Sequence, residues 1–150
     1  MKPRLIVSAC LLGVPCRYDG KAKRYAGVSE LSEHFELIPI CPECDGGLPT
    51  PRTPSEVKGD KVIMKDGCDV TEFFRVGAEK AVAKALETGA VAACLKARSP
   101  SCGKGKIYDG SFTKTLKNAD GVTAKALLGI IPVYTEEETE QLCADILVKK

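Results

Sequence analysis

The run Ala90-Val-Ala-Ala-Cys-Leu95 is wholly apolar and follows directly on a stretch whose apolar positions repeat at helical spacing. That succession constrains the fold more than any other part of the chain. A continuous apolar run of this length is the pattern of a strand buried on both faces, as in a parallel sheet. The preceding stretch reads as a helix over about Val70 to Thr88. In it Phe74, Ala78, Ala81 and Ala85 form one stripe, with Phe73, Val82 and Leu86 beside it. Asp69 and Glu72 make a capping-box-like start, and Gly89 suits the residue beyond the last turn.

The same alternation recurs on either side. Leu5-Ile6-Val7 is a short β-branched run and reads as a buried strand. Val28 to Phe35 reads as a short helix that Ser29 can cap, and Glu36 to Ile40 as a second strand, weakened by Pro39. Cys41 to Glu56 is loop by composition, with four prolines and two adjacent glycines. Lys61 to Lys65 fits an edge hairpin strand with Asp66-Gly67 as its turn. Lys96 to Gly121 is a long polar loop, a kind of segment that is usually functional. A helix over Val122 to Leu128, a strand over Ile130 to Tyr134 and a helix over Glu136 to Leu147 complete the chain, the last capped by Thr135 with Glu138. The expectation is one α/β domain over residues 1–150, Rossmann-like. It has a mainly parallel sheet of about four strands with helices on both faces.

The formal net charge is +2, from 22 basic and 20 acidic residues, so no global field favours nucleic acid or a membrane surface. No apolar run approaches the ~18 residues of a membrane span. The start, Met1-Lys2-Pro3-Arg4, lacks the pattern of a signal peptide, and a cytoplasmic location is expected. In that compartment the chain's 8 cysteines are not expected to form disulfides. Packing, metal binding and thiol chemistry remain. With His34 the only histidine, metal ligands would be thiolates, which select zinc, copper(I) or iron–sulfur.

Cys10 follows the first predicted strand, Cys41 the second, and Cys102 lies in the loop after the third. Ligands of open α/β sheets bind beyond the carboxyl ends of the strands, so these three thiols are expected to converge at one sheet edge. Cys94 and Cys143 read as core, and Cys68, which precedes a helix, as either core or functional. Cys16 lies within chain reach of Cys10. Cys41-Pro-Glu-Cys44 is a C-x-x-C pair, open to three readings: a redox dithiol, a zinc site completed by Cys10 or Cys16, or part of an iron–sulfur site. The redox reading requires the pair to open a helix, and Asp45-Gly-Gly-Leu-Pro49 does not read as one.

Five ordered motifs carry a family resemblance: Ser8-Ala-Cys-Leu-Leu-Gly13, Arg17-Tyr-Asp-Gly20, Cys41-Pro-Glu43, Gly46-Gly-Leu-Pro-Thr-Pro-Arg52 and Lys96-Ala-Arg-Ser-Pro-Ser-Cys-Gly103. Together they resemble a bacterial domain-of-unknown-function family that includes the thiouracil desulfidases. The resemblance implies a 4Fe-4S enzyme, with zinc as the alternative metal, that removes sulfur from thiolated uracil or its nucleotides without net redox. It implies Cys10, Cys41 and Cys102 as cluster ligands, Glu43 as the acid of its Cys-Pro-Glu motif, and Ser99 as the first serine of Ser-Pro-Ser-Cys. Cys44 stands where the family commonly has an apolar residue. Arg17, Arg52, Lys96, Arg98, Lys104 and Lys106 lie in the same loops and fit either an anion pocket for a nucleotide phosphate or a solvated basic loop, while Asp19 fits a pyrimidine edge or a partner for Arg17. The partners expected are a small thiolated pyrimidine and the iron–sulfur assembly machinery, with no membrane and no strong nucleic-acid signal. The competing readings are a non-catalytic zinc or iron–sulfur module and a thiol redox protein using Cys41 and Cys44.

Overall fold

The apolar run predicted to be central does lie in the middle of a parallel sheet. The computed structural model describes residues 2–22 and 24–147. Strand β1 (Arg4–Ser8) runs into a 3-10 turn, Ala9–Leu12, and helix α1 (Val28–His34) leads to β2 (Glu36–Ile40). A single helical turn, α2 (Pro42–Asp45), precedes a hairpin of β3 (Ser55–Lys58) and β4 (Lys61–Met64). Helix α3 (Thr71–Thr88) feeds β5 (Ala92–Leu95). A second hairpin, β6 (Lys106–Tyr108) and β7 (Leu116–Asn118), comes before α4 (Val122–Leu128), β8 (Val133–Thr135) and α5 (Thr139–Leu147). The main sheet has four strands in the order β2-β1-β5-β8, all parallel. Pro39 sits in β2, at an edge, where a strand has one side without a ladder neighbour.

Side chains of successive strand residues point to opposite faces. Leu5, Val7, Ala92 and Cys94 therefore pack with Leu31 of α1 and Leu142 of α5. Ile6, Ala93 and Leu95 pack on the other face with Ala81 and Ala85 of α3 and Ala124 and Leu127 of α4. Both faces of β5 are closed to solvent, which is why its sequence is apolar throughout. Cys94 is wholly buried in this packing, as read from the sequence. A smaller cluster of Leu48, Val62, Val70 and Phe74 lies under the β3–β4 hairpin.

Several local expectations are corrected. Ser29 does not cap α1; Gly27 precedes that helix without a side-chain cap. Asp69 accepts from the Thr71 N–H at 2.9 Å, but Glu72 turns to Arg75 rather than closing a capping box. Phe73 and Leu86 are exposed. Lys61–Met64 does form a hairpin strand, but its partner β3 lies upstream across Gly59-Asp60. The Asp66-Gly67 turn instead returns the chain so that Asp69 bridges Ile63. The segment read as loop after Cys41 contains α2, and the long polar loop contains the β6–β7 hairpin, in which only Ile107 is buried. Strands with one buried residue, and a helix of one turn, leave no period to detect. The Thr135–Glu138 capping box is present, over a 3-10 turn that leads into α5.

Candidate active site

Strands β1, β2 and β5 end level with one another. Ser8 pairs with Ile40 and Val7 with Cys94, and the Ser8 hydroxyl accepts from the Lys96 N–H at 2.9 Å. Just beyond those ends stand Cys10 in the 3-10 turn, Cys41 as the residue capping α2, and Cys102 in the loop after β5. All three line one cavity of about 410 Å³, a volume typical of small-molecule sites. Cys16 lines it as well, whereas Cys44 does not. These cysteines are free thiols.

Burial pushes the Cys10 thiol up to about 12, helped by neighbouring Cys102 and opposed by Lys96. Burial likewise lifts Cys102 to about 12, against hydrogen bonds from Ser8 and Ser101. Cys41 is raised because its thiol donates to Cys16 and because it is buried, and the same hydrogen bond lowers Cys16. Without a metal these ligand candidates are neutral thiols, so ligation displaces protons.

Glu43 projects from α2 onto the wall of the same cavity. Arg52 Nε donates to its Oε1 at 3.0 Å, and Ser101 Oγ donates to its Oε2 at 3.0 Å. Ser99 Oγ lies 3.0 Å from Ser101 Oγ. The Ser99 oxygen already accepts from the N–H groups of Ser101 and Cys102, at 3.2 and 3.1 Å. Its proton is thus directed at Ser101, giving a chain of donation Ser99 to Ser101 to Glu43. Ser101 was missed by sequence reasoning, although the second serine of the Ser-Pro-Ser-Cys motif was in view.

The cations fall out differently from the expected anion pocket. Arg52 gives its remaining donors to Cys16 O (3.0 Å), Pro49 O (3.1 Å) and Thr50 Oγ1 (3.0 Å). It is a strut for Glu43 rather than an open cation. Glu136, Glu137 and Glu138 take Lys96, Arg98 and Lys104 in turn, at 3.2, 3.0 and 3.5 Å. Arg17 faces Asp19 at 3.9 Å. Arg17 and Arg98 line the cavity; Asp19 and Lys104 do not, and Lys106 is exposed.

The donor set can be matched against the metals that suit it. Among the described residues, no three His, Cys, Asp or Glu side chains gather as a single ion requires. Cys10, Cys41 and Cys102 line one shared cavity, and all-thiolate donors suit iron–sulfur. A profile of the family described as 2-thiouracil desulfurase matches residues 5–139. The chain belongs to that family. It is 39% identical over 133 residues to the uncharacterized protein YbbK of Bacillus subtilis (strain 168), covering 82% of this chain and 88% of that one. It also superimposes with a TM-score of 0.91 on a solved structure titled [4Fe-4S]-dependent thiouracil desulfidase TudS, at 41% identity over 98% of this chain and 99% of the other.

For this desulfurase-family chain the Cys41-x-x-Cys44 pair needs a correction. It does open a helix, the single turn α2. Its two thiols nevertheless diverge in role: Cys41 reaches the cavity wall, while Cys44 shares a hydrogen bond with Thr50 Oγ1 at 3.2 Å. The turn is pinned by glycines. A Cβ at Gly77 of α3 would meet Pro42 O at 2.0 Å, and one at Gly46 would meet Phe73 O at 2.0 Å. Only with glycine at both places can α2 lie this close to α3 and carry Cys41 and Glu43 to the sheet edge. Among the described residues no helix is long and apolar enough to cross a membrane.

Proposed function

We propose that this protein removes sulfur hydrolytically from a thiolated uracil or its nucleotide, using a 4Fe-4S cluster held by Cys10, Cys41 and Cys102. The observation that carries the reading is the Glu43 carboxylate, gripped by Arg52 and Ser101 on the wall of a cavity that three loop cysteines share. Held by these three thiolates, such a cluster would supply an open, thiophilic iron able to bind the sulfur of a C=S group and polarise its carbon. Glu43 serves as general base on the attacking water, which adds to that carbon. The overall change is C=S plus H₂O to C=O plus H₂S, with no electron transferred. Arg52 fixes the carboxylate in one orientation, and Ser101 is placed to pass a proton between Glu43 and Ser99. Ser99, on the cavity wall in the same loop as Cys102, orients the substrate. Arg17 and Arg98, each also facing a carboxylate, line the cavity together with Lys65 and Lys114, and these cations would meet a nucleotide phosphate. Reduced thiols and an oxygen-sensitive cluster suit the cytoplasm, where the iron–sulfur assembly machinery loads it.

The test is anaerobic reconstitution followed by sulfide release from 2-thiouracil and its nucleotide. Cys10→Ala, Cys41→Ala and Cys102→Ala are each expected to lose iron and turnover together. Turnover that persists in any of them at wild-type rate contradicts the assignment.

A further inference from the structure

The cavity holds a second carboxylate that the chemistry above does not use. Glu56, on β3, is 9% exposed and lines the cavity wall. Its Oε1 accepts two backbone N–H bonds, from Gly110 at 3.0 Å and from Phe112 at 3.1 Å. Both donors belong to the β6–β7 loop. Glu56 therefore holds that loop against β3, where Gly110 is so close that a Cβ would meet Lys58 Cβ at 2.9 Å. Phe112 and Lys114 take left-handed backbone conformations there, with φ of 58° and 62°. Such conformations in side-chain-bearing residues persist only where surrounding contacts impose them. The latch sets Phe112, an aromatic ring, on the cavity wall.

Oε2 of Glu56 makes no hydrogen bond or ion pair among the described residues. It is not sealed in the interior either, since among the described residues the buried side-chain atoms without a partner are Ser55 Oγ and Thr123 Oγ1. A buried carboxylate with one oxygen satisfied and the other open to a cavity is an acceptor awaiting a donor. Uracil and its thio-derivatives offer ring N–H donors beside their C=O and C=S groups.

We infer that Glu56 is a specificity-determining residue that accepts a hydrogen bond from a ring N–H of the pyrimidine, with Phe112 flanking the ring. The class of ligand rests on the desulfurase reading; the open acceptor does not. Glu56→Gln separates the two oxygens. The amide oxygen must stay on the Gly110 and Phe112 N–H groups, so the NH₂ replaces Oε2 and meets the ring N–H donor to donor.

The experiment is calorimetric titration of uracil, N1-methyluracil and N3-methyluracil into the anaerobically reconstituted wild type and Glu56→Gln. Wild type is expected to bind uracil at least about tenfold more tightly than one of the methylated forms. Glu56→Gln is expected to bind uracil at least about tenfold more weakly and to lose the preference. Equal binding of all three by the wild type, or an unchanged preference in Glu56→Gln, overturns the inference. If the variant fails to fold, the wild-type series decides alone. Selective uracil binding without sulfide release from 2-thiouracil supports Glu56 and overturns the desulfurase reading separately.

Discussion

Arg52 Nε and Glu43 Oε1 meet at 3.0 Å, with only 3% and 14% of their side chains exposed. The pair anchors the proposed general base. Removing one partner of a buried pair strands the other's charge and typically costs about 3–5 kcal/mol. Arg52→Met also removes the guanidinium N–H donors to the carbonyls of Cys16 and Pro49. We expect urea unfolding to show a loss of about 3 kcal/mol, with Arg52→Lys intermediate because it keeps the charge and loses the fork. A loss below about 0.5 kcal/mol, the scale of an exposed pair, contradicts this role.

Glu43→Gln keeps the shape and removes the base. Its kcat should fall by roughly 10²–10⁴-fold with bound iron unchanged. Ser101→Ala removes one donor to Glu43 and should cost less, about tenfold. Ser99→Ala additionally frees the N–H groups of Ser101 and Cys102, so it should lower iron retention as well. Iron analysis beside steady-state kinetics distinguishes these patterns. Full activity of Glu43→Gln rules out the general base.

Much of this arrangement was legible in the sequence. The strand Ala92–Leu95 announced itself because both its faces are buried, and Cys10, Cys41 and Cys102 were found at one edge because each follows a strand of the same parallel sheet. What escaped notice was short or long-range. Helix α2 is one turn, and its position depends on Gly77, far along the chain, so neither period nor propensity pointed to it. The basic loop residues looked like an anion pocket because their partners, Glu136 to Glu138, read only as the start of a helix. Glu56 read only as the end of the loop after Cys41, since nothing local foretold that Gly110 and Phe112 would close over it.

The α2–α3 contact has its own consequence. At Gly77 a Cβ would stand 2.0 Å from Pro42 O, a backbone atom that cannot rotate away. Gly77→Ala should push α2 outward, carrying Cys41 and Glu43 with it. We expect a stability loss of about 1–3 kcal/mol by chemical denaturation, and lower iron content after reconstitution. Gly59→Ala, with nothing within 4 Å but a φ of +65°, serves as a control that strains the backbone without moving α2. Equal iron content in the two variants argues against the contact.

The metal-free protein should weaken in alkali. Cys10 and Cys102 rise from the ordinary 9.0 to about 12 because burial disfavours their thiolates. The unfolded chain loses these protons near pH 9 while the folded one keeps them. Their contribution is therefore complete below pH 9 and is lost as pH climbs towards about 12. Urea melts of the apo-protein from pH 8 to 11 should show falling stability, and Cys10→Ala with Cys102→Ala should flatten the slope. A profile that rises with pH, or a slope unchanged in the double variant, contradicts this account.

Cluster-dependent, non-redox desulfuration is tested most directly by anaerobic metal and sulfide analysis coupled to turnover of 2-thiouracil. The account predicts about four irons and four sulfides per chain, release of H₂S without added reductant, and loss of both cluster and activity when iron is chelated. Cys44→Ser, whose thiol is outside the cavity wall, should retain both. Sulfide release that survives complete removal of iron contradicts the central claim.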